Sequence, residues 1–257
     1  MKLNQLALQL YTMRDQCQTA IDLASTLRKV REIGYPAIQV SGIGPIPEEE
    51  IVSIAQGEGL AIIATHEPAR QILDEPQRVI ERLQKLGVKY TAYPFPAGVD
   101  FTQPGAASAL AQKLDAAGAQ LAAAGQVLCY HNHHQEFFKV NGKTVLEILF
   151  DETHPANLQG ELDTYWVQYG GGDPVAWCKK LTHRLPLLHL KDYQVEADGK
   201  VNFTEIGQGN LDFPAIIAAA EASGTEWFIV EQDSTPGDPF DSIRISFEYI
   251  NNHLITP

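Results

Sequence analysis

A strict alternation of short β-type runs with longer helical stretches, repeated over all 257 residues, most constrains what this chain can fold into. No linker, low-complexity segment or charge block interrupts the alternation. The pattern predicts eight strands and a helix after each of them. The predicted strands are residues 6–10, 37–40, 61–65, 90–93, 127–131, 158–163, 187–190 and 227–231.

Several of the predicted helices have readable starts and stops. Asp173 and Asp238 each precede a proline, which places an aspartate at the N-cap and proline at the first helical position. Gly34 and Gly87 follow helical stretches and can adopt the left-handed conformation that ends a helix. The eight helices are expected to begin near Thr19, Pro47, Glu75, Gly105, Lys143, Pro174, Phe213 and Pro239.

Eight strand and helix pairs in a chain of this length are typical of a single (β/α)₈ barrel, or TIM barrel, covering residues 1–257. The alternative is a doubly wound sheet, which normally carries a glycine-rich turn after its first strand. Here the first strand is followed by YTMRDQCQ, which contains no glycine. The sequence therefore favours the α/β barrel.

Composition excludes several classes of function. The apolar fraction of 44% is enough for a large core, and the formal net charge of −13 disfavours nucleic acid and anionic membrane surfaces as partners. Apolar runs are too short for a membrane span or a signal peptide, so we expect a soluble, cytoplasmic protein. Cys17, Cys129 and Cys178 show no metal-binding spacing and are expected to be reduced core residues.

Metal-ligand residue types stand at the carboxyl ends of four successive predicted strands. They are His131 and Glu136 at strand five, Asp163 on strand six, His189 on strand seven and Glu231 at the end of strand eight. In a barrel of this kind, polar side chains at these ends point into the active-site mouth. His189 alone could be a hydrogen-bonded core residue, but adjacent strands let Asp163, His189 and Glu231 converge.

Carboxylates gathered in this way repel one another and are costly to bury unless a cation binds them. The sequence therefore predicts one divalent ion. Ligation by nitrogen and oxygen without a thiolate suits Mn²⁺, Mg²⁺ or Co²⁺ better than Zn²⁺, although Zn²⁺ remains compatible.

These residues belong to motifs that resemble the xylose-isomerase-like sugar isomerase/epimerase superfamily, and most closely its inosose dehydratase-like branch. The resemblance covers nearly the whole chain and implies a TIM barrel whose metal is held by Glu, Asp, His and Glu from strands five to eight. The last three correspond to Asp163, His189 and Glu231. The motifs are YHNH at 130–133 with EF at 136–137, LD at 162–163, HLKD at 189–192, IGQG at 206–209 with DF at 212–213, and VEQD at 230–233 with DPF at 238–240.

Strand five departs from that pattern, because this chain has His131 where the resemblance implies a glutamate. Glu136 follows five residues later, and either side chain could reach the ion. Strand alternation favours His131 and His133 as inward-facing, so we expect His131 to bind the metal and Glu136 to contact substrate or transfer a proton. Ketose 3-epimerases of similar fold use two glutamates, of which only the strand-eight residue is kept in place here.

Proton transfer has further candidates. Glu231 or His133 could act as the base, and Lys191 could deliver a proton or stabilise an enolate oxygen. The alternative for Lys191 is a salt bridge to Asp192, Glu161 or Glu231. We favour a functional role, because a lysine in the mouth of a barrel costs stability without a task.

Two side chains are candidates for contacts with substrate. His66 could bind a hydroxyl group, and Trp166, with its neighbours, could stack on a sugar. The alternatives are a solvated loop histidine and ordinary packing at the barrel rim. Gly207 and Gly209 could bind an anion through backbone amides, but a tight turn ending a long loop with a hairpin tip at 198–199 is favoured.

A divalent ion in an acidic pocket with several His and Glu residues and one Lys suits reactions that start by removing a proton next to a carbonyl. The substrate would be a small sugar or cyclitol. Returning the proton gives isomerisation or epimerisation, which the superfamily resemblance favours. Expelling a β-substituent makes the enzyme a dehydratase or lyase, which His131 and the resemblance to the inosose dehydratase-like branch favour. Net charge disfavours the endonuclease activity known on this fold, and a sugar-binding barrel without catalysis is a further alternative. The sequence leaves open whether the chain forms a homo-oligomer.

Overall fold

The computed structural model describes residues 1–256 and confirms the predicted barrel. Eight parallel strands close on themselves, since the first strand pairs with the eighth as well as with the second. The predicted and observed strand bounds differ by no more than one residue at either end. The strands are β1 Leu6–Gln9, β2 Ala37–Val40, β3 Ala61–His66, β4 Tyr90–Tyr93, β5 Val127–His131, β6 Gln159–Asp163, β7 Leu187–Leu190 and β8 Trp227–Val230.

Ten α-helices lie in the described part of the chain, two more than predicted. The additional ones are α3, which follows β3, and α7, which follows β6 directly. The helices are α1 Ala20–Ile33, α2 Glu48–Gly57, α3 Ala69–Asp74, α4 Pro76–Leu86, α5 Ala106–Ala123, α6 Val145–Asp151, α7 Thr164–Tyr169, α8 Pro174–Lys180, α9 Phe213–Ala222 and α10 Pro239–His253.

The helix boundaries follow from local hydrogen bonding. The carboxylate of Asp173 accepts the backbone N–H of Val175 and Ala176, and Asp238 caps α10 in the same way. Gly87 ends α4 at φ 69°, a left-handed conformation that favours glycine. The region near Lys143 differs from the prediction: Lys139–Val140 and Lys143–Thr144 form a small hairpin, so α6 begins after the Thr144 cap.

The barrel interior changes character along the strand direction. Residues two positions apart on a strand face the same side, and on three strands an apolar residue lies beneath the polar one. Cys129 precedes His131, Leu187 precedes His189 and Ile229 precedes Glu231, and the first of each pair belongs to one buried apolar cluster. The polar layer therefore lies above this cluster, toward the carboxyl ends of the strands.

The remaining apolar side chains pack mainly between the strands and the surrounding helices. Cys17, Cys129 and Cys178 are buried free thiols, as predicted. A second hairpin, formed by Asp192–Val195 and Val201–Thr204, confirms the predicted tip at 198–199. Among the described residues, no helix has the length and apolar character that crossing a bilayer requires.

Candidate metal and active site

Four side chains from β5 to β8 converge at the carboxyl ends of the strands. His131, Asp163, His189 and Glu231 each offer a ligand atom, and these atoms all lie within 4.8 Å of one another. The barrel register brings them together, because Asp163 is paired with His189 across β6 and β7, and Glu231 directly follows β8. We call these four residues the upper cluster.

Lys191 lies buried beside the upper cluster. Its Nζ is 2.9 Å from Glu231 Oε2, 2.9 Å from Asp233 Oδ1 and 3.2 Å from Asp163 Oδ2. Of the three salt-bridge partners named from the sequence, only Glu231 is found. Burial opposes a charged ammonium, but these three carboxylates outweigh it and raise the pKa of Lys191 above its usual range.

Charge in the upper cluster is only partly balanced. Burial raises the pKa of the Asp163 carboxyl to about 6, against the attraction of Lys191. Burial also disfavours the charged form of Glu231, yet Lys191 and His189 hold the pKa of this carboxyl well below its usual range. For His189, burial is outweighed by Glu161 and Glu231, which raise its pKa to about 10.

The donor set of the upper cluster fits a divalent cation. Asp163 Oδ2 is buried and makes no well-aligned hydrogen bond: Lys191 Nζ lies 3.2 Å from it and His131 Nε2 lies 3.9 Å from it. Two imidazoles and two carboxylates without a thiolate match ions that accept mixed nitrogen and oxygen ligands. An ion here would also relieve the repulsion among the buried carboxylates.

A hydrogen-bonded network lies beneath the upper cluster and is centred on Glu161, which is fully buried on β6. Gln39 Nε2 donates to Glu161 Oε1 at 2.6 Å, and His66 Nε2 contacts the other carboxylate oxygen. Gln9 Nε2 donates to Gln39 Oε1 at 3.0 Å. Gln9, Gln39, His66 and Glu161 together form the lower network.

The lower network contacts both histidines of the upper cluster. Glu161 Oε2 lies 3.4 Å from His131 Nδ1, and Glu161 Oε1 lies 3.4 Å from His189 Nε2. Ligand atoms of His66, His131, Glu161 and His189 also fall within 4.8 Å of one another. His131 and His189 therefore stand between two groups and turn a different nitrogen to each.

Sequence reasoning missed Glu161 and Gln39 as site residues. Glu161 precedes Asp163 by two residues on one strand, so strand alternation places both on the inner side of the barrel. Gln39 has the same relation to Ala37, which faces the interior. Strand alternation in the sequence could thus have identified both residues as inward-facing. Their contact with each other, between β2 and β6, follows only from the closure of the barrel.

A cavity of about 560 Å³ opens above the upper cluster. Its floor includes His131 and Glu231, and half-exposed aromatic rings of Tyr11 and Phe95 stand at its edge. A chamber with a polar floor and aromatic edges suits a small polyhydroxylated molecule. The other lining residues are Ser41, Gly42, His66, Glu67, Pro68, Pro94, His133 and Asp233.

His133 and Glu136 have different surroundings. His133 lines the cavity, its Nδ1 has no hydrogen-bond partner, and burial lowers its pKa to about 2, which leaves the ring neutral. Glu136 is fully buried and does not line this cavity: its carboxylate accepts from Tyr130 Oη and from the backbone N–H of His133, both at 2.9 Å. Burial raises the pKa of Glu136 to about 7. His133 thus lines the cavity, whereas Glu136 is buried outside the cavity lining.

The two predicted substrate-binding residues also differ in position. His66 lines the cavity, but Nε2 faces Glu161 and Nδ1 lies 3.4 Å from Gln9 Nε2, so both ring nitrogens have partners. Trp166 does not line this cavity; its ring packs at 5.3 Å from that of His133 and lies 5.5 Å from Lys191 Nζ. Trp166 therefore covers the lysine from the side of α7.

The backbone amides around Gly207 and Gly209 bind the carboxylate of Asp192. Asp192 Oδ2 accepts the N–H of both glycines at 3.0 Å, and Oδ1 accepts those of Tyr193 and Leu211. The favoured interpretation as a turn is thus correct, with Asp192 as its anchor. This also explains why Asp192 is not a partner of Lys191: four backbone amides of its own loop already engage its carboxylate.

Comparison with known proteins supports the fold over nearly the whole chain. The model of the xylose isomerase-like TIM barrel family matches residues 27–253. A sugar phosphate isomerase/epimerase from Parabacteroides distasonis superposes with a TM-score of 0.84 at 22% identity, covering 99% of this chain and 96% of that one. A xylose isomerase-like TIM barrel protein from Mycobacterium smegmatis, solved in complex with magnesium, gives a TM-score of 0.74 at 17% identity, covering 96% and 95% of the two chains. At these sequence identities, the superpositions show a likeness of fold alone.

A curated relative is the inosose dehydratase of Geobacillus thermodenitrificans, which is 28% identical over 143 residues. The match covers 49% of this chain and 47% of that protein, so it spans about half of each.

Proposed function

Since this chain belongs to the xylose isomerase-like TIM barrel family, we propose that it is a divalent-metal-dependent sugar isomerase or epimerase. Its substrate would be a ketose or related keto-polyol, and the reaction would begin with removal of the proton next to the carbonyl. The observation that carries the proposal is the convergence of four ligand atoms within 4.8 Å of one another, beside a cavity that His131 and Glu231 line.

His131, Asp163, His189 and Glu231 would hold the ion, with Mn²⁺, Mg²⁺ or Co²⁺ preferred over Zn²⁺. When bound, the ion acts as a Lewis acid toward the carbonyl oxygen of the substrate. Glu136 is the alternative strand-five ligand from the sequence. Its two hydrogen bonds to Tyr130 and the His133 amide support a positioning role for it instead.

His133 is the proposed base, because its side chain lines the cavity and its buried Nδ1 has no hydrogen-bond partner. Glu231 is the alternative, but His189 and Lys191 already engage its Oε2. Lys191 contributes fixed positive charge toward the oxyanion that develops on the substrate. The raised pKa of Lys191 favours this electrostatic role over delivery of a proton.

Elimination is the second candidate outcome. Two observations favour it: the curated relative is an inosose dehydratase, and β5 ends in an imidazole where two-base epimerisation calls for a carboxylate. Proton removal is common to both outcomes. They differ in whether the proton returns to carbon or a β-substituent leaves.

Proton NMR in D₂O separates these outcomes. Mg²⁺-loaded protein is incubated with a panel of ketoses and with an inosose. Deuterium at the carbon next to the carbonyl, with an inverted or shifted hydroxyl group, supports the isomerase or epimerase, and a new double bond supports the lyase. Binding of the sugars without turnover or exchange would contradict both and favour a sugar-binding barrel.

A further inference from the structure

The two ring nitrogens of His189 have partners of different kinds. Nδ1 lies 2.9 Å from Glu231 Oε2 and so faces the upper cluster. Nε2 lies 2.8 Å from Gln39 Oε1 and faces the lower network. Both His189 and Gln39 are fully buried, so water does not compete for these contacts.

Glu161 fixes the orientation of the Gln39 amide. An ionised carboxylate only accepts hydrogen bonds, so the atom of Gln39 that lies 2.6 Å from Glu161 Oε1 must be the NH₂ nitrogen. The amide oxygen then points to His189. Gln9 Nε2 donates to that same oxygen at 3.0 Å, which agrees with this orientation.

An amide oxygen beside Nε2 requires that nitrogen to carry a hydrogen. The nitrogen that can give up its hydrogen and offer a lone pair is then Nδ1. We propose that Gln39 is a positioning residue that keeps the hydrogen of His189 on Nε2 and presents Nδ1 to the divalent ion. This inference rests on the proposed metal role of the upper cluster.

The position of Gln39 on β2 makes this role distinct from that of the ligands. β2 is not a neighbour of β6 or β7 in the barrel, so its side chain reaches across the interior to both Glu161 and His189. Outer hydrogen-bond partners of a metal-binding histidine fix its ring orientation and its protonated nitrogen. Here the partner is an amide whose own orientation is set by a buried carboxylate.

The experiment compares three variants with the wild type, using Zn²⁺ alone as the probe because it is diamagnetic. Gln39→Met removes the acceptor at similar volume. Gln39→Glu keeps an acceptor for His189, since the introduced carboxyl group would share a proton with Glu161. Gln126→Met is the matched control, because Gln126 is a buried glutamine that donates to the Ile80 carbonyl outside the site.

Calorimetry measures the affinity for Zn²⁺, and nitrogen NMR reads the His189 ring, assigned through its absence in His189→Gln. In the wild type and in Gln39→Glu, we expect a hydrogen on Nε2 and the ion on Nδ1. Gln39→Met should lose about 10- to 100-fold in affinity and the slowly exchanging Nε2 hydrogen. Gln126→Met should match the wild type in both measurements.

Zinc on Nε2 of His189 in the wild type would overturn the role of Gln39 and leave the metal role of the upper cluster intact. Unchanged affinity and an unchanged ring spectrum in Gln39→Met would do the same. Failure of the wild type to bind Zn²⁺ would overturn both the inference and the proposed metal site. If Gln39→Met does not fold, the wild-type ring spectrum decides the matter alone.

Discussion

The two halves of the barrel mouth carry different chemistry on the same backbone. The half from β5 to β8 contributes the upper cluster, with two carboxylates and two imidazoles. The half from β1 to β4 contributes the neutral amides of Gln9 and Gln39. Two ionisable residues also lie in this half: His66, one nitrogen of which contacts Glu161, and Glu67, which pairs with Arg82 at 2.9 Å.

This difference separates binding from orientation. Neutral amides do not add to the repulsion among the carboxylates, and their hydrogen bonds have direction. The half from β1 to β4 can therefore orient Glu161 and His189 without competing with Asp163 and Glu231 for an ion. Substitutions in the charged half should thus change metal binding and turnover more than substitutions elsewhere.

Among variants that keep the metal, replacement of Lys191 should have the largest effect on turnover. Lys191→Met removes the positive charge proposed to stabilise the developing oxyanion, so we expect kcat of the metal-loaded protein to fall by about 10²- to 10³-fold. Divalent metal should still bind, because the four proposed ligands remain. Lys180→Met, which alters an ion pair with Glu147 outside the barrel mouth, is the control. Unchanged kcat in Lys191→Met would remove this lysine from the mechanism.

His131 and Glu136 test which strand-five residue binds the ion. Loss of an outer hydrogen-bond partner of a ligand weakens metal binding by up to ~100-fold. His131→Ala removes a ligand itself and should weaken metal binding by more than this, whereas Glu136→Gln should leave metal binding unchanged. We expect about a tenfold loss of kcat in Glu136→Gln, since one carboxylate oxygen that holds Tyr130 or the His133 amide is replaced. Isothermal titration and steady-state kinetics measure the two quantities. Loss of metal in Glu136→Gln alone would move that residue into the ligand set.

Removal of the ion pair between Lys180 and Glu147, which lies outside both halves of the barrel mouth, should change only the free energy of unfolding. This is the smallest of the expected effects. Lys180 holds the pKa of Glu147 at about 2, below its ordinary value of 4.5. The ionised carboxylate therefore stabilises the folded protein at pH values above the unfolded-state pKa. This contribution is lost as pH falls from about 5 toward 2. Glu147→Gln should therefore lower the free energy of unfolding by about 0.5–1 kcal/mol at pH 7. Urea unfolding at several pH values checks this. A difference that stays constant down to pH 2 would exclude the carboxylate charge as its source.

Particular residues show how far the sequence predicts this molecule. Periodicity and helix caps were sufficient for the eight strands, and the positions of His131, Asp163, His189 and Glu231 at successive strand ends predicted their convergence. The lower network depends on contacts over long sequence separations: Gln39 and Glu161 are 122 residues apart, and His189 and Gln39 are 150 apart.

The local sequence pattern also did not predict contacts of charged side chains that depend on the fold of a loop. Asp192 directly follows Lys191, yet its carboxylate accepts four backbone amides of its own loop, and Asp233 contacts the lysine instead. The same limit applies to Glu136, whose fully buried position depends on the fold of the segment after β5.

Metal content of Asp163→Asn tests the central claim, that the charged half of the barrel mouth binds one divalent ion. Asp163 also accepts the backbone N–H of Trp166 at the start of α7, and asparagine keeps that cap while removing the charge. Asp173→Asn, at the start of α8, is the control. Elemental analysis should give about one ion per chain in the wild type and in Asp173→Asn, and almost none in Asp163→Asn. Equal metal content in all three proteins would contradict the account.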